Sequence, residues 1–163
     1  NNIGWPSCGE LDVMEWTPIK NDGKYYSTAV HWNQSNNNYY NHRFLSAEHI
    51  IDNNMDLTNT FNDYKIKIYR YDNDKCKIEM LFNENIVKTY SNFGENRELV
   101  PNSEELYKTS LNNENSSFNN DKYYGLIMNI ALGGDYTGQT YVPTDYEKCY
   151  MIINDIDISI SDY

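Results

Sequence analysis

Basic residues are few in this 163-residue chain: 13 lysines and arginines stand against 24 aspartates and glutamates, a net charge of −11. A surface of that sign repels phosphate, which argues against a nucleic-acid partner and fits a neutral one such as a polysaccharide. Cysteine is scarcer still. Cys8, Cys76 and Cys149 are an odd number with no C-x-x-C pair, so neither a zinc site nor a disulfide framework is indicated, although one bridge is compatible with the count. His31, His42 and His49 show no zinc-ligand spacing. No apolar run approaches the roughly 18 residues of a membrane span, and no signal peptide is visible. Gly133-Gly134 lacks the following lysine and helix of a phosphate cradle, so a tight turn is the better account.

What the chain has in quantity is aromatic side chains, 15% of residues, 16 of them tyrosine. A flat ring with a polar tip suits both a sandwich core and the face of a pyranose. Strand patterns dominate and helix patterns are scarce. Residues 9–16 and 24–32 read as strands, the second preceded by an Asp22-Gly23 turn. In residues 64–71, Ile66 and Ile68 alternate with Lys65 and Lys67, the period-2 mark of a half-buried strand. Residues 77–82 and 86–91 form a hairpin over Asn83-Glu84-Asn85. Residues 57–61 are expected as a short strand, 104–111 as a short helix capped by Ser103 or Asn102, 123–132 as an inner strand and 151–161 as the strand closing the sheet. Residues 33–43 and 112–121 read as polar loops. The class that follows is an all-β, two-sheet sandwich, with residues 1–163 as a single domain.

One segment carries chemistry. Trp5-Pro6-Ser7-Cys8-Gly9-Glu10-Leu11-Asp12-Val13-Met14-Glu15-Trp16 places three carboxylates in the spacing E-x-D-x-x-E. Along a strand, residues i and i+2 share a face, so Glu10 and Asp12 do. Glu15 is out of phase unless a β-bulge near Val13 or Met14 brings it back. With that bulge the two glutamates stand roughly 13 Å apart along the backbone at ~3.3 Å per residue, a gap two long side chains can largely close. A retaining glycosidase needs its two carboxyl groups about 5 to 5.5 Å apart. Three crowded carboxylates cannot all ionise at their ordinary pKa, which keeps one protonated as an acid. The competing account is an acidic edge strand that discourages aggregation. Leu11 and Val13 between the acids, and Trp5 and Trp16 beside them, favour a walled groove instead.

This segment resembles the catalytic strand of glycoside hydrolase family 16, in its laminarinase-like branch of endo-β-1,3-glucanases, with pattern W-P-x-x-G-E-[IL]-D-[IV]-M-E-[YW]. Ala29-Val30-His31-Trp32 resembles the next strand, residues 64–87 a strand-turn-strand unit, and residues 124–138 the segment L-x-L-N-x-A-x-G-G-x-W-x-G. The resemblance implies a jelly-roll sandwich of the concanavalin A-like kind with a concave substrate face. It implies Glu10 as nucleophile, Glu15 as acid/base and Asp12 tuning both. It also implies sugar contacts from Trp5 and His31, with Asn129 and Tyr136 as further candidates. For His31 and Asn129 a purely structural role stands beside the substrate contact, and Trp16 belongs to the core.

Tyr136 stands where the family has tryptophan, Tyr71 where a strand commonly ends in tryptophan, and Lys65 and Lys67 where His and Tyr are frequent. Asn154 occupies the position of a calcium-binding aspartate, which removes that ligand from a structural calcium site; no cofactor is required. The resemblance starts at residue 1, so the chain is expected to be the C-terminal portion of a catalytic domain whose N-terminal strands it lacks. The expected activity is retaining endo-hydrolysis of β-1,3-glucan, or of mixed β-1,3/1,4-glucan. The alternatives are a β-glucan transglycosylase and a non-catalytic glucan-binding sandwich. Substrate class and the sequons Asn33-Gln34-Ser35 and Asn115-Ser116-Ser117 point to an extracellular or secretory-pathway location.

Overall fold

The computed structural model describes residues 5, 8–18, 20–33, 42–52, 55–72, 75–91, 125–130 and 151–159. The chain divides into two units, Asn1–Tyr123 and Tyr124–Tyr163. In the first, six strands form two antiparallel meanders: β1 (Glu10–Trp16), β2 (Tyr25–Asn33) and β3 (His42–Ile50) in one sheet, β4 (Tyr64–Asp72), β5 (Lys75–Phe82) and β6 (Asn85–Ser91) in the other. One 3-10 turn, Lys20–Gly23, joins β1 to β2. Among the described residues there is no other helix, and none long and apolar enough to cross a membrane.

The sheets meet face to face. Val30 of β2 packs with Ile78, Met80 and Tyr90 of the second sheet, joined by Leu11, Ile66 and Val87. Beside this cluster, Tyr26 and Ile51 pack with Phe82, flanked by Trp16, Met55, Leu57, Tyr64 and Val87. The protein is therefore an all-β sandwich. A fully buried aliphatic such as Val30 or Ile78 contributes about 1.5–3 kcal/mol through burial alone. Tyr26 anchors its cluster with an edge-on contact to Tyr64 and tilted contacts to Phe82 and His49. Strand β2 lies between β1 and β3 and is buried on both faces from Tyr25 to Val30. Tyr26, Thr28 and Val30 enter the core, and Tyr25, Ser27, Ala29 and His31 line the opposite face of the sheet.

Local sequence sets the connections. Asn83 and Glu84 take positive φ, 46° and 65°, which closes β5 to β6 as a two-residue turn of the kind that matches strand twist. Asn83 Oδ1 also accepts from Asp63 N–H, and its Nδ2 donates to Asn62 Oδ1, which ties the turn to the entry of β4. Residues 57–61, expected as a strand, form turns instead. Asp56 Oδ1 accepts from the backbone and hydroxyl of Thr58 and from Asn59 N–H, so local side-chain bonds outcompete a ladder. That charge-stabilising cage holds the Asp56 carboxyl down at about 2.

Three segments depart from the expected strand pattern. Residues 42–50, partly assigned to a loop, form β3, paired with β2 along its whole length. In the second unit, residues 125–130 and 151–159 carry no strand and are exposed, including Ile127 and Ile158. An apolar run becomes a strand only where a neighbour supplies ladder partners, and no described residue pairs with these. The expected helix over 104–111 lies outside the described residues.

Candidate carboxylate site on the outer face of the first sheet

Strand β1 pairs with β2 as Glu10 with His31, Asp12 with Ala29 and Glu15 with Ser27. Between Asp12 and Glu15 the first strand advances three residues while the second advances two. The extra residue is a β-bulge, where the E-x-D-x-x-E spacing requires one. Its effect is to return Glu15 to the face shared by Glu10 and Asp12. Trp16 is thereby turned into the sandwich, where it packs on the Tyr26 cluster and its indole N–H donates to Gly23 O at 2.8 Å. Gly23 has φ 76°, a conformation that glycine adopts freely.

Each carboxylate has its own surroundings. Glu10, exposed at the start of β1, accepts from the indole N–H of Trp5, itself 42% exposed. Asp12 is half-buried and bonds His31 Nε2 at 2.9 Å. Glu15, also half-buried, accepts a longer bond from Ser27 Oγ at 3.3 Å. Burial, and after it the charge of Asp12, pushes the Glu15 carboxyl above its ordinary range; Ser27 and His31 offset this only in part. His31 moves up as well, chiefly through its bond to Asp12, with burial opposing and Glu10 and Glu15 adding to the rise.

The wall of the site is aromatic. His31 Nδ1 lies 2.8 Å from His42 Nε2, with the two rings nearly parallel. Trp5 tilts over His42 with centroids 4.7 Å apart, and Phe44 stacks against both imidazoles. Phe44 is 57% exposed, so the strip offers open ring surface beside the acids. At the other end of the face, Tyr25 O–H donates to Glu48 Oε1 at 3.0 Å.

The first unit thus brings together Glu10, Asp12, Glu15, Trp5 and His31. Asn129, expected on an inner strand, is exposed in the second unit and belongs to no strand. Tyr136 lies outside the described residues. His42 and Phe44 were missed as site residues because β3 was missed. The available clue was a segment, residues 42–63, free of glycine and proline, following a strand long enough to need a partner. Among the described residues no group of three or more His, Cys, Asp or Glu is disposed to hold a metal ion.

Chemically, the arrangement supplies an exposed carboxylate oriented by an indole N–H, a half-buried carboxyl on the same face whose pKa is pushed up, and a third carboxylate between them held by an imidazole. Comparison with known proteins adds no relative to this description: no family model matches the chain, and no curated protein or solved structure matches it.

Proposed function

We propose that this chain carries the catalytic strand of a retaining endo-β-1,3-glucanase, active on β-1,3- or mixed β-1,3/1,4-glucan, of the laminarinase-like kind in glycoside hydrolase family 16. The observation that carries the reading is the bulge between Asp12 and Glu15, which sets an exposed Glu10 and a half-buried Glu15 on one face with Asp12 between them. A bulge also serves to blunt an edge strand, but that purpose needs neither an indole N–H on one glutamate nor half-buried surroundings for the other.

In this reading Glu10 attacks the anomeric carbon as the glycosidic C–O bond breaks, and Glu15 gives its proton to the departing oxygen. Glu15, now ionised, takes a proton from water as that water attacks the glycosyl ester and frees Glu10. Asp12, held by His31, keeps negative charge beside Glu15 and so favours the protonated acid that the first step needs. Trp5 steers Glu10 and offers ring surface to a sugar. A jelly-roll course for the sandwich and an extracellular setting accompany the reading, since the polymer it cleaves lies outside cells.

Laminarin incubated with the chain and resolved by chromatography tests it. Shorter oligosaccharides support hydrolysis, longer ones mark a transglycosylase, and bound but unaltered glucan marks a binding protein. Fresh product observed by proton NMR before mutarotation should be the β anomer. Initial α product would remove Glu10 as nucleophile.

A further inference from the structure

His42 takes no step in the double displacement, yet its imidazole touches both arms that hold the carboxylates. On one side its Nε2 lies 2.8 Å from His31 Nδ1, and His31 holds Asp12 through Nε2. On the other its ring carries Trp5, whose indole N–H reaches Glu10. Phe44 backs both imidazoles, at 5.5 Å from His31 and 5.7 Å from His42.

We propose that His42 is a positioning residue for the carboxylate site, a neutral imidazole that accepts a hydrogen bond from His31 while supporting Trp5 against Glu10. The consequence for glucan cleavage rests on the function proposed above. The proton arrangement does not depend on it.

Geometry alone allows two arrangements: a neutral His31 accepting at Nδ1 from His42 Nε2–H, or a His31 imidazolium donating to an unprotonated His42 Nε2. Two imidazoliums at this spacing repel. The titratable groups around the pair favour the second. From β1, Asp12, Glu10 and Glu15 all favour the cation on His31. On β3 itself, Glu48 is engaged by Tyr25, and His49 bonds Thr28 on the core side. Burial, and then the charge on His31, holds His42 below its ordinary 6.5. Between the two titrations both arms are fastened. As pH falls through that of His42, the acceptor is lost and Trp5 rests on a charged ring that repels His31.

Ring-nitrogen NMR titration of the full chain reads this without substrate. The expected result is two steps, His31 above 6.5 and His42 below it. In His31→Gln the His42 midpoint should rise toward 6.5. A His42 midpoint unmoved by that substitution overturns the proposal, whatever the chain does to glucan. On laminarin, His42→Leu should lower kcat on the order of 10- to 100-fold, the scale of a catalytic group slightly misplaced, with a smaller effect on KM. His42→Gln, whose amide oxygen still accepts from His31 and never takes up a proton, should restore part of that loss and carry the acid limb to lower pH. Equal losses in both variants with an unmoved acid limb also overturn it. A wild type that cleaves no glucan yet titrates in two linked steps removes the glucanase reading and leaves the His42 assignment standing.

Discussion

Asp12 and His31 are not register partners, since His31 stands opposite Glu10 in the β1–β2 ladder, yet the imidazole leans along the strand to bond Asp12 at 2.9 Å. The middle carboxylate of the three is the one that receives the imidazole. Glu10 is left to Trp5, and Glu15 to the weaker donor Ser27. The outer two remain available for chemistry while the inner one is held.

Exchange of either glutamate for its amide separates chemistry from folding. Glu10→Gln and Glu15→Gln should each lower turnover on glucan by about 10²-fold or more, the scale of a lost nucleophile or acid/base group. Their thermal transitions should stay close to that of the wild type, because both groups face away from the core. Azide should partly restore Glu15→Ala on an activated glycoside, being an anion that attacks without a general base. Near-normal turnover of Glu15→Ala on polysaccharide would refute its role.

The bulge can be tested by removing a residue rather than changing one. Deleting Met14 removes the extra residue and puts β1 in simple register, with Glu15 still opposite Ser27 and Trp16 still facing the sandwich. The deletion variant should therefore fold, with an unfolding temperature near that of Met14→Ala, which at this exposed position should shift stability by no more than about 0.5 kcal/mol. Deleting Leu11 instead leaves the bulge in place and shifts the phase of Glu10 against Asp12 and Glu15, and cleavage should vanish. A Met14 deletion that collapses the fold would show that the extra residue is not a bulge.

Stability should also depend on pH through the histidines, with opposite signs. The folded pKa of His31 lies above 6.5, so its stabilisation is complete below that value and is lost as pH rises through the folded one. His42 and His49 have folded values below 6.5, both through burial first, and their contribution is kept above 6.5 and lost as pH falls. His31→Gln should therefore flatten the decline in thermal midpoint as pH rises above 6.5. Parallel curves for variant and wild type over that interval would contradict the Asp12–His31 pairing.

Within the core, the Tyr26 hydroxyl is buried with no hydrogen-bond partner among the described residues. Burial also raises its pKa, so the phenol stays neutral there. An unpaired buried hydroxyl costs about 1–3 kcal/mol. Calorimetry should find Tyr26→Phe neutral or stabilising, while Ile78→Ala loses about 2–5 kcal/mol. A Tyr26→Phe loss of the same size would mean that the hydroxyl is satisfied after all.

The sequence revealed most where one face is wet and the other dry. Ile66 and Ile68 alternating with lysines announced β4, and the phase error between Glu10 and Glu15 announced the bulge, because both depend only on which way successive side chains point. β3 gave no such alternation: Phe44 and Leu45 are neighbours and both exposed, as suits an edge strand whose order comes from pairing with β2. His42 was invisible for the same reason, since its meaning depends on a partner eleven residues away. Residues 125–130 erred in the other direction, as their apolar content described a strand that nothing described pairs with.

Strand β2 writes two messages in alternate letters. Tyr26, Thr28 and Val30 answer to the far sheet, where Tyr90 O–H reaches the Thr28 carbonyl, while Ser27, Ala29 and His31 answer to the carboxylates. A lineage, or an engineer, can therefore revise Ser27, Ala29 or His31 to suit a new ligand without renegotiating Tyr26, Thr28 or Val30, and selection on the site and selection on folding act on separate letters of the same nine-residue word.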